Sequence, residues 1–254
     1  MDEIVGVPAF ADNYIWLLRK GARVAVIDPG DAAPVMKAIE ERGCTLAAIL
    51  LTHHHPDHVG GVADLLAWQP VPVYGPAAEA IPVVDRPLAH GERVSLPELG
   101  LGFDVLDVGG HTLGHIAYSG SNAVFAGDTL FAGGCGRIFE GTPEQMWRSL
   151  SRLAALPQET EVYCAHEYTA SNLRFAVAVE PENEALRRRA AEVDRLRAAG
   201  RPTVPTTIGL ELQTNPFLRV REPGVITAAE EFRGHPLEGD IEIFAALREW
   251  KNVF

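Results

Sequence analysis

The sequence holds little that would tie it to a membrane, an oxidising compartment or a nucleic acid. No apolar run approaches the roughly 20 residues that cross a bilayer. The opening MDEIVGVPAF is acidic where a secretory leader is basic and then apolar. Only three cysteines occur, Cys44, Cys135 and Cys164, widely spaced and with no Cys-x-x-Cys pair among them. That argues against a disulfide framework or a cysteine zinc knuckle and fits a reducing compartment. Basic runs are as scarce: the net charge is −12 and the longest run of cations is Arg187–Arg189. Such a balance repels phosphate backbones. The expectation is a cytoplasmic globular protein acting as a monomer, with no nucleic-acid or membrane partner. An anionic small substrate would need its own local cluster of cations.

What is present is a long run of strand and helix signals. The chain has 254 residues, 47% of them hydrophobic, enough for one large domain or a main domain with a smaller companion. Short apolar runs such as YIWLL, RVAVID, AAILLT, VPVY, FDVLDV, AVFAGD and EVYCAH read as buried strands. Between them APVMKAIEERG reads as a helix ending at Gly43. TPEQMWRSLSRLAAL opens with Thr142, Pro143 and a capping-box Gln145. The pattern is α/β, with early hairpin-like strands that speak against a purely parallel sheet. After about residue 170 helices dominate. In ENEALRRRAAEVDRLRAAG the stripe Leu186, Ala190, Val193, Leu196 faces inward and the arginines read as a solvated face. RPTVPTTIG then reads as a loop, and IEIFAALREWKNVF as a final helix.

The densest chemistry lies in LTHHHPDHVGG, Leu51–Gly61, with four histidines and an aspartate in six positions. If Thr52 ends a strand and Pro56 opens a helix, side chains alternate across the extended residues. His53 and His55 then point one way and His54 the other. A helical turn from Pro56 brings Asp57 and His58 round from a different direction. One loop thus offers two ligand pairs to two adjacent metals, and imidazole with carboxylate suits zinc, iron or manganese. Taken singly, Asp57 is an ordinary first-turn helix residue and His54 plain surface. The crowding of titratable groups reverses that reading.

Zinc takes about four donors, so further ligands must come from elsewhere. His111, Asp128 and His166 each follow a strand run. His115 competes with His111, but IAYSG after it returns to strand, which favours His111 and leaves His115 supporting or structural. His90 and His235 read as surface. Cys135, in GGCGR, has no base near it in sequence and reads as a small residue in a tight loop.

THHHPDH, with the downstream histidines and GDT, resembles the THxHxDH signature of the metallo-β-lactamase superfamily. DNYIWLL, DPGD, GHTLGH, GDTLFAGGCGRIFEGT, AHEYTASNLRFA, TNPFLR and the terminal REWK resemble the bacterial glyoxalase II, or hydroxyacylglutathione hydrolase, family across nearly the whole chain. The resemblance implies an αββα sandwich over residues 1–170 and a helical glutathione-binding domain over 171–254. It implies two divalent metals per chain, zinc first, with iron or manganese also suited. Carried over by motif, His53, His55 and His111 hold the first metal, Asp57, His58 and His166 the second, and Asp128 bridges. His54 and His115 are not expected to be ligands. A hydroxide formed between the metals would hydrolyse S-D-lactoylglutathione to glutathione and D-lactate, the second step of methylglyoxal detoxification. Asp57 and Asp128 would keep that water deprotonated and placed.

Glutathione carries two carboxylates, and Arg248 and Lys251 match the family's basic pair, three apart on one helical face. Without the resemblance they would read as solvated charges near a chain end. Arg137 and Phe139 stand where many relatives have Lys and Tyr, which keeps the cation and loses a hydroxyl. Tyr168 matches the family's tyrosine and can donate to the peptide. Three rivals remain: a single-iron glutathione persulfide dioxygenase, expected to lack the helical tail; a metal-dependent phosphodiesterase, opposed by the acidic charge; and a metal-loaded binding or redox module without turnover.

Overall fold

The computed structural model describes residues 1–254. The early apolar runs become an antiparallel meander of β1 (Glu3–Ala9), β2 (Asn13–Lys20) and β3 (Arg23–Ile27). The chain then crosses over through α1 (Ala32–Glu41), whose first turn is capped by Asp31 accepting from the Ala33 amide at 3.0 Å. Gly43, with φ 58°, lets it leave that helix. β4 (Thr45–Leu50) returns parallel to β3. Two short helices, α2 (Pro56–Val59) and α3 (Val62–Trp68), lead to β5 (Val73–Pro76) and β6 (Arg86–Leu88). The sheet order is β1-β2-β3-β4-β5-β6, antiparallel then parallel.

A second six-stranded sheet begins with β7 (Arg93–Leu96), β8 (Leu101–Asp107), β9 (Ile116–Gly120) and β10 (Ala123–Gly127). A small ribbon of β11 (Leu130–Phe131) and β12 (Gly134–Cys135) follows. α4 (Pro143–Ala154) starts as the sequence predicts, with Thr142 and Gln145 forming a reciprocal capping box. It delivers β13 (Glu161–Cys164), parallel to β10.

The period-2 alternation of β2 and β3 fills two apolar layers at once. Leu17, Val24 and Val26 pack against α1 and α3, while Leu18, Ala25 and Ile27 face Phe103, Val105, Tyr118 and Phe125 of the other sheet. Helices on both outer faces make this the expected αββα sandwich. No helix is long and apolar enough to cross a membrane.

The tail comprises α5 (Thr169–Val179), α6 (Glu184–Ala198), β14 (Thr206–Thr207), α7 (Ile208–Thr214), α8 (Pro223–Arg233) and α9 (Gly239–Val253). Two sequence expectations are corrected here. The stretch read as a Pro/Thr loop contains β14, which extends the second sheet by pairing antiparallel with β13, and it runs into α7. Arg189 is not solvated. It is buried, with its guanidinium on Glu211, Thr206 and Thr214, because a buried carboxylate at Glu211 needs a counter-charge. The helical periodicity was sound, but an arginine's solvation depends on what faces it from another element.

Candidate metal centre

Each candidate donor sits just beyond a strand. β4 ends at Leu50, whose following residue Leu51 is anchored by the Tyr118 hydroxyl donating to its carbonyl at 2.7 Å. His53 to His55 are extended, and α2 opens at Pro56. His111 follows β8, Asp128 follows β10 and His166 follows β13.

Tertiary structure gathers these into two sets. His53 Nε2 lies 3.1 Å from His55 Nδ1, which lies 3.0 Å from His111 Nε2. Those spacings approach the edge of a tetrahedron with metal–nitrogen bonds of 2.0–2.1 Å, about 3.3 Å. In the second set Asp57 Oδ2 lies 3.5 Å from both His58 Nε2 and His166 Nε2. Asp128 stands between the sets: Oδ1 is 3.4 Å from His58 Nε2 and from His166 Nε2, and Oδ2 is 3.4 Å from His111 Nε2. The residues fit a pair of cations. His58 Nε2 and Asp128 Oδ1 are buried without a hydrogen-bond partner, a costly state that a shared cation relieves.

The backs of the donors are held as firmly as their fronts. Asp28, at the end of β3, accepts from the Thr52 amide (2.8 Å) and hydroxyl (2.7 Å) and faces His58 Nδ1 at 3.1 Å. Asp12 faces His166 Nδ1 at 2.8 Å, and Asn13 Nδ2 donates to Asp57 Oδ2 at 3.0 Å. His111 Nδ1 donates to the Arg137 carbonyl at 2.8 Å, and His53 Nδ1 pairs with the Thr52 hydroxyl at 3.0 Å. His115 is buried, stacked on His53, and its Nε2 accepts from the Asp128 amide at 3.1 Å. It supports Asp128 from behind and joins neither set.

His54 is more than plain surface. Its Nδ1 is 2.8 Å from Glu79 and its Nε2 3.1 Å from Glu140, two carboxylates that also accept from the amides of Gly114 and Leu113. His54 therefore ties the His53–His58 loop to the loop carrying His111. Sequence reasoning does not reach Asp12, Asn13, Asp28, Glu79 and Glu140 as parts of the site. Asp28 ends a strand run like Asp128, so that pattern was the signal; the two glutamates have none.

Electrostatics separate the sets. Burial, then neighbouring imidazoles, push His53 far below the ordinary histidine range; burial does the same more mildly to His55 and His111. Burial also opposes charge on His58, but Asp128, Asp28 and Asp57 outweigh it and carry the ring up to about 9. His166 is raised too, burial being overcome by Asp128 and Asp12. Asp128 stays well below the usual carboxylate range because the imidazolium charge around it defeats burial.

A cavity of about 420 Å³ opens beside the sets, lined by His111, Asp128, Phe131, Arg137, Phe139, Tyr168, Arg248 and Lys251 among others. Tyr168 stacks flat on His166 at 4.7 Å, and Phe139 stands edge-on to His111 at 5.2 Å while remaining 63% exposed. Arg248 is buried: Nη1 donates to the Cys135 carbonyl at 2.8 Å and Nη2 to Asn252 at 3.2 Å. Lys251 Nζ lies 3.4 Å from the Ser171 carbonyl. Burial raises the Cys135 thiol more than Arg248 lowers it, so it stays protonated and is no nucleophile. A larger hollow of about 740 Å³ near α5 and α8 has its one arginine, Arg219, already bidentate to Glu180, so it offers an anion little.

The chain resembles known proteins over its whole length. Residues 10–166 match the family model of the metallo-β-lactamase superfamily, and residues 167–254 that of the hydroxyacylglutathione hydrolase C-terminus. A hydroxyacylglutathione hydrolase of Alkalilimnicola ehrlichii is 57% identical over 254 residues, covering 99% of both chains. One of Pseudomonas entomophila is 56% identical and covers both chains fully. Among solved structures, TTHA1623 in a di-iron-bound form is 31% identical with TM-score 0.60, covering 85% of this chain and all of that one. ETHE1 from Myxococcus xanthus is 26% identical with TM-score 0.63, covering 95% and 94%.

Proposed function

The chain belongs to the hydroxyacylglutathione hydrolases of the metallo-β-lactamase superfamily, and from that premise we propose that it hydrolyses S-D-lactoylglutathione and related S-2-hydroxyacylglutathiones to glutathione and the free hydroxy acid. The observation that carries this reading is the pair of donor sets joined through Asp128 and opening onto a cavity rimmed by cations. His53, His55 and His111 would hold one divalent ion, Asp57, His58 and His166 the other, with Asp128 shared. Zinc heads the candidates, with iron and manganese also suited to these donors. The di-iron relative supports the count of two. When bound, such ions supply the Lewis acidity that brings a water's pKa near neutrality and polarises a thioester carbonyl.

The protein's own groups do the rest. Asp57 and Asp128, both held ionised, accept hydrogen bonds from the attacking water and orient it toward the carbonyl carbon. The carbon–sulfur bond then breaks with glutathione leaving as thiolate, a leaving group good enough to need no strong general acid. Arg137, Arg248 and Lys251 meet glutathione's carboxylates. The Tyr168 hydroxyl, pushed up to about 12 by burial and nearby carboxylates, stays a neutral donor toward the peptide. Phe139, lacking a hydroxyl, offers the substrate no hydrogen bond, only an apolar edge. Residues 1–170 would carry the chemistry together with Arg137, Phe139 and Tyr168, and the helical part 171–254 would add Arg248 and Lys251 to hold glutathione.

The test is turnover of S-D-lactoylglutathione by protein whose metal content is measured in the same sample. Two ions per chain with thioester hydrolysis is the expected result. Full metal loading without hydrolysis would overturn the reading.

A further inference from the structure

The two donor sets differ in what stands behind them. Both imidazoles of the second set have a carboxylate on the outer nitrogen: Asp28 at 3.1 Å from His58 Nδ1 and Asp12 at 2.8 Å from His166 Nδ1. The first set is backed by neutral oxygens, the Thr52 hydroxyl at 3.0 Å from His53 Nδ1 and the Arg137 carbonyl at 2.8 Å from His111 Nδ1. The second set also owns a carboxylate outright in Asp57, steadied by Asn13. A carboxylate behind an imidazole raises its basicity toward a cation, and such partners change metal affinity by about 10- to 100-fold.

Asp12 is placed to exert this effect without moving. It lies in the turn between β1 and β2, which is clamped to the segment after β13. The Glu167 amide donates to the Asp12 carbonyl at 2.9 Å and the Tyr14 amide to the Ala165 carbonyl at 2.7 Å. Asn13 pairs with His166 across an isolated bridge. One turn therefore presents an anion to His166 and an amide to Asp57, two donors of the same set.

We propose that Asp12, with Asp28, grades the two metal positions, so that the set of Asp57, His58 and His166 retains its ion more tightly than the set of His53, His55 and His111. Asp12 is in this view a positioning residue acting on the metal through His166. The inference rests on the dinuclear reading above.

The test compares the zinc-loaded wild-type protein with Asp12→Asn across a series of buffered free-zinc concentrations, counting zinc per chain. Imidazole resonances of cobalt-loaded samples identify the set that keeps its ion. Asparagine preserves an oxygen acceptor, so a purely geometric role for Asp12 would leave both affinities unmoved. The wild-type protein is expected to lose its ions in two resolved steps, the His53/His55/His111 ion first. In Asp12→Asn the second step should weaken by about 10-fold or more, with the first unchanged. Simultaneous loss of both ions in the wild-type protein, loss in the opposite order, or an Asp12→Asn profile matching the wild type would overturn the proposal. Fewer than two zinc ions at saturation would instead overturn the dinuclear reading beneath it.

Discussion

Arg248 and Lys251 look alike in sequence, three apart on α9, yet they occupy different situations. Arg248 braces the Cys135 carbonyl from a buried position, whereas Lys251 reaches the cavity with one long contact to Ser171. Lys251→Ala should raise KM for the glutathione thioester by about 10-fold or more, the worth of one charged hydrogen bond, with little change in kcat. Arg248→Ala should raise KM and also lower kcat and thermal stability, because it strips a partner from a carbonyl in the loop that holds His111. Steady-state kinetics with a melting curve for each variant separates the two; equal behaviour would refute the distinction. Burial, then Arg248, Arg174 and Arg137, depress the Lys251 ammonium below its ordinary value. Its charge is complete below that lowered pKa and lost above it, so KM should begin to rise at a lower pH than a free lysine would give. Lys251→Arg should flatten that rise, since guanidinium stays charged.

At the scale of elements, the ribbon β11–β12 and the loop after it hold the donor sets, the cavity beside them and the tail together. The Gly136 amide donates to the Thr129 carbonyl at 3.1 Å, and the amides of Phe139 and Glu140 both reach the His111 carbonyl. From the tail, Glu211 accepts from the Gly133 amide and Asn215 Nδ2 donates to the Gly134 carbonyl, at 2.8 and 2.9 Å. This packing leaves no room at Gly136, where an added Cβ would meet the Asp128 carbonyl oxygen at 1.9 Å. Gly136→Ala must therefore displace Asp128 or the loop. Expected are a stability loss of about 1–3 kcal/mol, the usual cost of overpacking, and fewer metal ions per chain. Thermal unfolding and metal analysis check both, and an unperturbed variant would show the loop to be looser than described.

For the molecule as a whole, the boundary between the two family models at residues 166 and 167 is not a gap in the packing. Phe217, Phe244 and Leu247 from the tail share one apolar layer with Val124, Leu150 and Val162 of the sandwich, and β14 extends the second sheet. Residues 1–170 alone would expose that layer and leave β13 as an open edge, a template for aggregation. The expected result is insoluble or unfolded protein, scored by solubility and near-ultraviolet circular dichroism. A soluble, metal-binding fragment would show the tail to be an independent appendage.

The chain's own pattern determined the α/β class with its early hairpin-like strands, the capped start of α4 and the division of THHHPDH between two directions. Each rests on local periodicity and spacing, which the chain carries in its own neighbouring residues. The family resemblance likewise lies in motifs readable along one dimension. Tertiary structure decided that Arg189 is buried, that Thr206–Thr207 joins a sheet, and that His54 is held between Glu79 and Glu140. It also decided which carboxylates stand behind which imidazoles. Those outcomes depend on groups 17 to 154 positions apart meeting in space, from Arg189 and Thr206 to Asp12 and His166. No local pattern encodes such a meeting; only the packing of two sheets and a helical tail brings it about.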